Sequence, residues 1–173
     1  MRVWLTIAGV VLLLDQVTKQ LAEAMLAFGE SVAVLPFFNI TLAYNTGAAF
    51  SFLAQAGGWQ RWFFAALALT VSGIILLWLR RLKPQEKWSG VALALILGGA
   101  LGNVIDRLLF GHVIDFLDVY YTADQCMALF SFEPLAQGMR CHWPAFNIAD
   151  SAISVGAVMM VIDSLRGGKK AAA

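Results

Sequence analysis

Charged side chains are scarce in this chain. Of its 173 residues only 13% are charged, against 60% that are hydrophobic, and the mean hydropathy is +0.75. A soluble globular domain carries about 25% charged and about 45–50% apolar residues, so this stock cannot coat a water-facing surface. That excludes an ordinary cytoplasmic enzyme, and it excludes disorder. The near balance of 12 basic and 11 acidic residues offers no electrostatic hold on nucleic acid. Cysteine is almost absent: Cys126 and Cys141 are too few for a disulfide scaffold and lack metal-site spacing. Histidine is limited to His112 and His142, with no His-Glu-x-x-His, which argues against an intramembrane zinc protease. Neither a Gly-x-Ser-x-Gly elbow nor a Gly-x-x-x-x-Gly-Lys loop occurs, so serine-hydrolase and nucleotide chemistry have no motif to stand on.

What the chain does have is long apolar runs. A helix needs about 20 mainly apolar residues to cross the hydrocarbon core. Four stretches qualify, at about residues 3–21, 60–79, 88–110 and 146–165. They predict a single integral membrane domain over residues 1–173, mainly α, with four transmembrane helices. Arg2, Arg80, Arg81, Lys83, Lys87, Arg166, Lys169 and Lys170 fall on one side of these spans. By the positive-inside rule both termini face the cytoplasm, and residues 22–59 and 111–145 face outward. Arg2 followed by an apolar run resembles a signal peptide, but Asp15, Gln16 and Lys19 interrupt the approach to a cleavage site, and an uncleaved span is expected.

The outward segments are more than linkers. Residues 31–50 are rich in β-branched and aromatic residues, with turn punctuation at Pro36, Asn39 and Asn45-Thr-Gly47, and predict a small antiparallel sheet. Residues 51–60 predict a short interfacial helix ending at Gly57-Gly58. If the second outward segment is extracytoplasmic, Cys126 and Cys141 can pair; if it is not, they remain thiols.

An ionisable group at mid-membrane costs roughly 2.5–3.5 kcal/mol on insertion scales, so each one needs a reason. Asp15 and Lys19 stand four residues apart and can pair. Asn103, Asp106 and Arg107 share one face of the third span, where Asp106 and Arg107 can neutralise one another. Gly98 and Gly102 suit close helix packing. Asp118 and Asp124 read as solvated loop residues. Asp115 and Asp150 are harder to dismiss: both lie in apolar settings with no basic residue within four positions. If the third and fourth spans pack side by side, the two carboxyls can converge and share a proton. One then acts as base on a water while the other polarises a carbonyl. The same residues would also suit a proton relay in a small proton-coupled transporter. A relay needs acidic residues spread through the membrane depth, whereas these gather at one face.

Five motifs occur in order: Asp15-Gln-Val-Thr-Lys19, Asn45-Thr-Gly-Ala-Ala-Phe-Ser51, Gly102-Asn-Val-Ile-Asp-Arg107, Val113-Ile-Asp-Phe116 and Phe146-Asn-Ile-Ala-Asp-Ser151. Together they resemble the bacterial lipoprotein signal peptidases (signal peptidase II) over essentially the whole chain. The resemblance implies an aspartic endopeptidase of the bacterial inner membrane, with its active site at the periplasmic face, the side on which the small sheet is expected. Its implied substrates are diacylglyceryl-modified prolipoproteins, cut on the amino side of the lipid-bearing cysteine. It places the catalytic pair on Asp115 and Asp150, and substrate-binding positions on Asn45, Gly47, Asn103, Arg107 and Asn147. Asp15, Lys19 and Asp106 become structural support. No metal or other cofactor is implied; membrane lipid and globomycin-type inhibitors are, and the protein is expected to act as a monomer. Residues 120–142 look longer than the usual spacer between the catalytic motifs.

Overall fold

The computed structural model describes residues 1–47, 57–127 and 130–171, with side chains to residue 166. Four helices are long and apolar enough to cross a membrane: α1 (Arg2–Met25), α2 (Trp59–Arg81), α3 (Lys87–Leu109) and α4 (Ile148–Ala171). Each contains one of the expected spans, apart from the extreme edges of the third and fourth. Five strands complete the fold: β1 (Ser31–Leu35), β2 (Phe38–Asn45), β3 (Val113–Ala123), β4 (Ser131–Pro134) and β5 (Met139–His142). The chain divides into two compact units, each taken by itself below.

The first unit comprises Met1–Val17, Ala65–Ile105 and Ile148–Ala173. Its core is Ala8, Ile75, Leu79, Leu93 and Leu97. Apolar residues on α1, α2 and α4 that remain exposed, such as Leu13, Ile74 and Val158, are what a helix presents to lipid. The helices come close at glycines of α3 and α4. A methyl group on Gly98 would meet the Ala8 carbonyl oxygen at 2.6 Å, and one on Gly156 would meet that of Ala92 at 2.6 Å. In lipid, where apolar burial gives little drive for association, such backbone approach supplies much of the packing attraction.

The second unit comprises Thr18–Phe64 and Asp106–Asn147. It holds an antiparallel sheet in the order β1-β2-β3-β5-β4. The expected sheet over residues 31–50 accounts for β1 and β2, with residues 48–50 outside the described ones. β3 to β5 were not expected. β3 starts directly after α3 because Gly111 takes φ 86°, a left-handed conformation open to glycine, and turns the chain. The predicted interfacial helix lies largely outside the described residues, and α2 already begins at Trp59.

Much of the long 120–142 spacer is the C-terminal end of β3 with β4 and β5. Cys126 and Cys141 form a disulfide across a sequence separation of 15, so the open question of their pairing is answered in favour of the bridge. A loop of that length predicts about 3 kcal/mol of stabilisation from restricting the unfolded chain. Cys141→Ser is therefore expected to lower the unfolding free energy by about that amount. Denaturant unfolding in detergent, with and without reductant, checks it; equal stability of the two forms would contradict it.

The same region corrects the reading of Asp118 as solvated. It is buried, accepting a hydrogen bond from Asn39 Nδ2 at 2.7 Å and meeting His142 Nδ1 at 2.9 Å. A buried carboxylate needs such partners, and both come from strands far away in sequence.

Candidate active site

Asp115 is the third residue of β3 and only 2% exposed. It stands opposite Ala43 in the β2–β3 register. Its Oδ1 accepts a hydrogen bond from Asn147 Nδ2 at 2.7 Å, and the same Nδ2 lies 3.2 Å from the Ile114 carbonyl oxygen. The Ile114 amide donates to Asp106 Oδ2 at 3.1 Å, and Lys19 Nζ lies 2.8 Å from that oxygen. Lys19, Asp106 and Asn147 are fully buried.

Arg107 belongs to the same unit. Its Nη2 donates to the Gly47 carbonyl at 2.9 Å, and its guanidinium lies over the Phe64 ring at 5.5 Å. Asn45 Oδ1 accepts the Gly47 amide at 3.0 Å, an Asx-type turn at the end of β2. Residues of two motifs distant in sequence, Asn45 and Arg107, therefore meet at Gly47. Beside them Tyr44 packs tilted against His112, ring centres 4.1 Å apart, and donates to Glu23 Oε1 at 3.0 Å. Burial, with the nearby Glu23 carboxylate, pushes the Tyr44 hydroxyl above its ordinary range. Burial holds His112 below its ordinary value, despite the opposing pull of Glu23 and Asp106. Tyr44 and Glu23 carried no motif signal beyond their composition.

Asp150 belongs to the first unit. It sits in the first turn of α4, where the helix dipole favours a carboxylate. Its Oδ1 accepts from Asn103 Nδ2 at 2.7 Å. Asp15 Oδ1 accepts the Ala149 amide at 2.9 Å, capping one of the orphan donors at the start of α4 from a different helix. Gln16 Nε2 steadies the arrangement through the Gly102 carbonyl at 3.3 Å.

The two aspartates thus have matching surroundings built from different parts. Each accepts from an asparagine amide at 2.7 Å, and each follows a residue whose amide is held by a second aspartate. The expected i, i+4 pairing of Asp15 with Lys19 is incomplete as an account, because Lys19 bridges to Asp106 and Asp15 caps α4. Asp106, expected beside Arg107, also has a buried cation in Lys19, 2.8 Å from its Oδ2.

A family profile described as signal peptidase (SPase) II matches residues 7–166. The chain belongs to the signal peptidase II family. A lipoprotein signal peptidase of Aeromonas hydrophila is 49% identical over 168 residues, spanning 96% of this chain and 90% of that protein. One of Paraburkholderia phymatum is 52% identical over 163 residues, spanning 94% and 87%. A solved bacterial membrane enzyme matches with a TM-score of 0.79 at 30% identity, over 98% of this chain and 92% of its own. As a signal peptidase II, the chain is a multi-pass bacterial membrane protein and a peptidase that processes lipoproteins. The transporter reading gains no support from any of these relatives.

Proposed function

We propose that the protein is an aspartic endopeptidase that removes the signal peptide from diacylglyceryl-modified prolipoproteins, cutting on the amino side of the lipid-bearing cysteine. Asp115 and Asp150 form the catalytic pair. The observation that carries this reading is the matched asparagine contact: Asn147 on Asp115 and Asn103 on Asp150, each at 2.7 Å and each within a family motif. An amide donor orients a carboxylate without neutralising it, as a group that must exchange protons requires.

In the reaction the ionised aspartate takes a proton from water as the water oxygen attacks the scissile carbonyl carbon. The protonated partner gives its proton to the carbonyl oxygen. As the tetrahedral intermediate collapses and the C–N bond breaks, the aspartate that took the water proton gives it to the departing cysteine nitrogen. The intermediate's hydroxyl returns its proton to the partner aspartate. Asn45, Gly47 and Arg107 bind substrate beside the pair, with Arg107 fixing the Gly47 carbonyl. Asn103 and Asn147 serve both pair and substrate. The protein works as a monomer among membrane lipids, and globomycin-type cyclic peptides compete with its substrate. It sits in the inner membrane with both termini cytoplasmic and the sheet and active site periplasmic. The basic flanks support that orientation, as does the disulfide, which persists only in an oxidising compartment.

The test is cleavage by the purified protein, with chelator present, of one prolipoprotein prepared with and without its diacylglyceryl group. Cutting of the modified form alone, before the cysteine, is the expected result. Equal cutting of both forms would remove the lipid from substrate recognition, and no cutting of either would remove the activity.

A further inference from the structure

The Lys19–Asp106 pair takes no part in the chemistry above, yet both side chains are fully buried. Removing two charges from water can cost more than their attraction returns, so a buried ion pair is poor evidence of a device kept for stability. What it holds is more informative. The Asp106 backbone carbonyl already receives the Phe110 amide at 2.7 Å and the Gly111 amide at 3.2 Å, which closes the end of α3 without help from the side chain. The Asp106 side chain reaches past that turn to the Ile114 amide, eight residues on. The Ile114 carbonyl is held in turn by Asn147 Nδ2, which also donates to Asp115 Oδ1. Both backbone polar groups immediately before Asp115 are therefore fixed by side chains. Lys19 engages the same Asp106 oxygen that accepts the amide, so the cation from α1 fixes the direction of that oxygen.

We propose that Lys19 and Asp106 are positioning residues that fix the backbone at Ile114 and so aim the Asp115 carboxylate; this rests on the reading of Asp115 as catalytic. Misplacement of a reacting group by about 1 Å costs about 100-fold in rate. The effect therefore falls on kcat, not on KM.

The experiment compares two charge-neutral double variants, Lys19→Met/Asp106→Asn and Lys19→Met/Asp106→Leu, in cleavage of a diacylglyceryl-modified prolipoprotein. Only the first keeps an oxygen for the Ile114 amide, while both side chains have the same branched heavy-atom skeleton. The Asn form is expected to keep about a fifth of wild-type kcat, and the Leu form to lose about 100-fold with KM within about twofold. Equal kcat per folded molecule in the two forms would overturn the proposal. If the Leu form does not fold, Lys19→Met/Asp106→Ala, which also lacks the oxygen, is read instead. A kcat at least about 10-fold below that of the Asn form at unchanged KM supports the proposal, and a kcat equal to the Asn form's overturns it. Asp115→Asn is assayed alongside. Undiminished cutting by that variant would overturn the catalytic reading and this proposal with it, whereas equal double variants beside an inactive Asp115→Asn overturn this proposal alone.

Discussion

Asp115→Asn and Asp150→Asn are each expected to lower kcat by about 10^2- to 10^4-fold, the range that a positioned general acid or base contributes. Asn is close to isosteric and can still accept from the neighbouring amide, so neither variant should lose its fold. The two losses should not multiply in the double variant, because the pair acts as a unit and either loss disables it. The measurement is initial rate on modified prolipoprotein, normalised to folded protein by thermal unfolding in detergent. Near-wild-type rates for either folded variant would remove that residue from the chemistry. Additive losses in the double variant would mean that the two act independently.

Gly99→Ala is expected to destabilise the protein and to slow it. A methyl group there would press into the Ala149 carbonyl oxygen and lie 2.8 Å from Ile153 Cγ1. Two effects oppose each other. Replacing a helical glycine with alanine gains about 1 kcal/mol of helix propensity. Overpacking costs about 1–3 kcal/mol, and the high end applies because the obstacle is backbone, with no flexible end to swing away. The net loss is about 1–2 kcal/mol. Ala149 immediately precedes Asp150, so displacement of its carbonyl should also lower kcat, by about 10-fold. Gly73→Ala makes the comparison decisive: nothing lies within 4 Å of that position in α2. It should be neutral or stabilising. Unfolding midpoints read by tryptophan fluorescence would show opposite signs, and a stable, fully active Gly99→Ala would contradict the close approach of α3 and α4.

How much of this was legible in the sequence depends on the range of the interaction. The four helices were, because their apolar runs and basic flanks are local signals. So were the residues of the candidate site, because each sits in a short motif. The partnerships were not. Asp15 meets Ala149 across 134 residues and Asn39 meets Asp118 across 79, and no local period reports such contacts. Four-residue spacing made Asp15 and Lys19 look like a pair sufficient to itself, whereas each also has a partner in a different aspartate motif. The β4–β5 ribbon was hidden for another reason: β4 is exposed at every position, so it lacks the buried–exposed alternation by which strands are recognised. Asp118 was misread because a carboxylate in an apparent loop looks solvated until its partners, Asn39 and His142, are known.

The pH dependence of kcat tests the shared proton most directly. If Asp115 and Asp150 must hold one proton between them, activity falls when the pair gains a second proton and falls again when it loses the only one. The account predicts a bell with two limbs belonging to the pair. It further predicts that neither Asp115→Asn nor Asp150→Asn retains that bell at wild-type height. A flat profile, or a single limb, in the wild-type enzyme would contradict it.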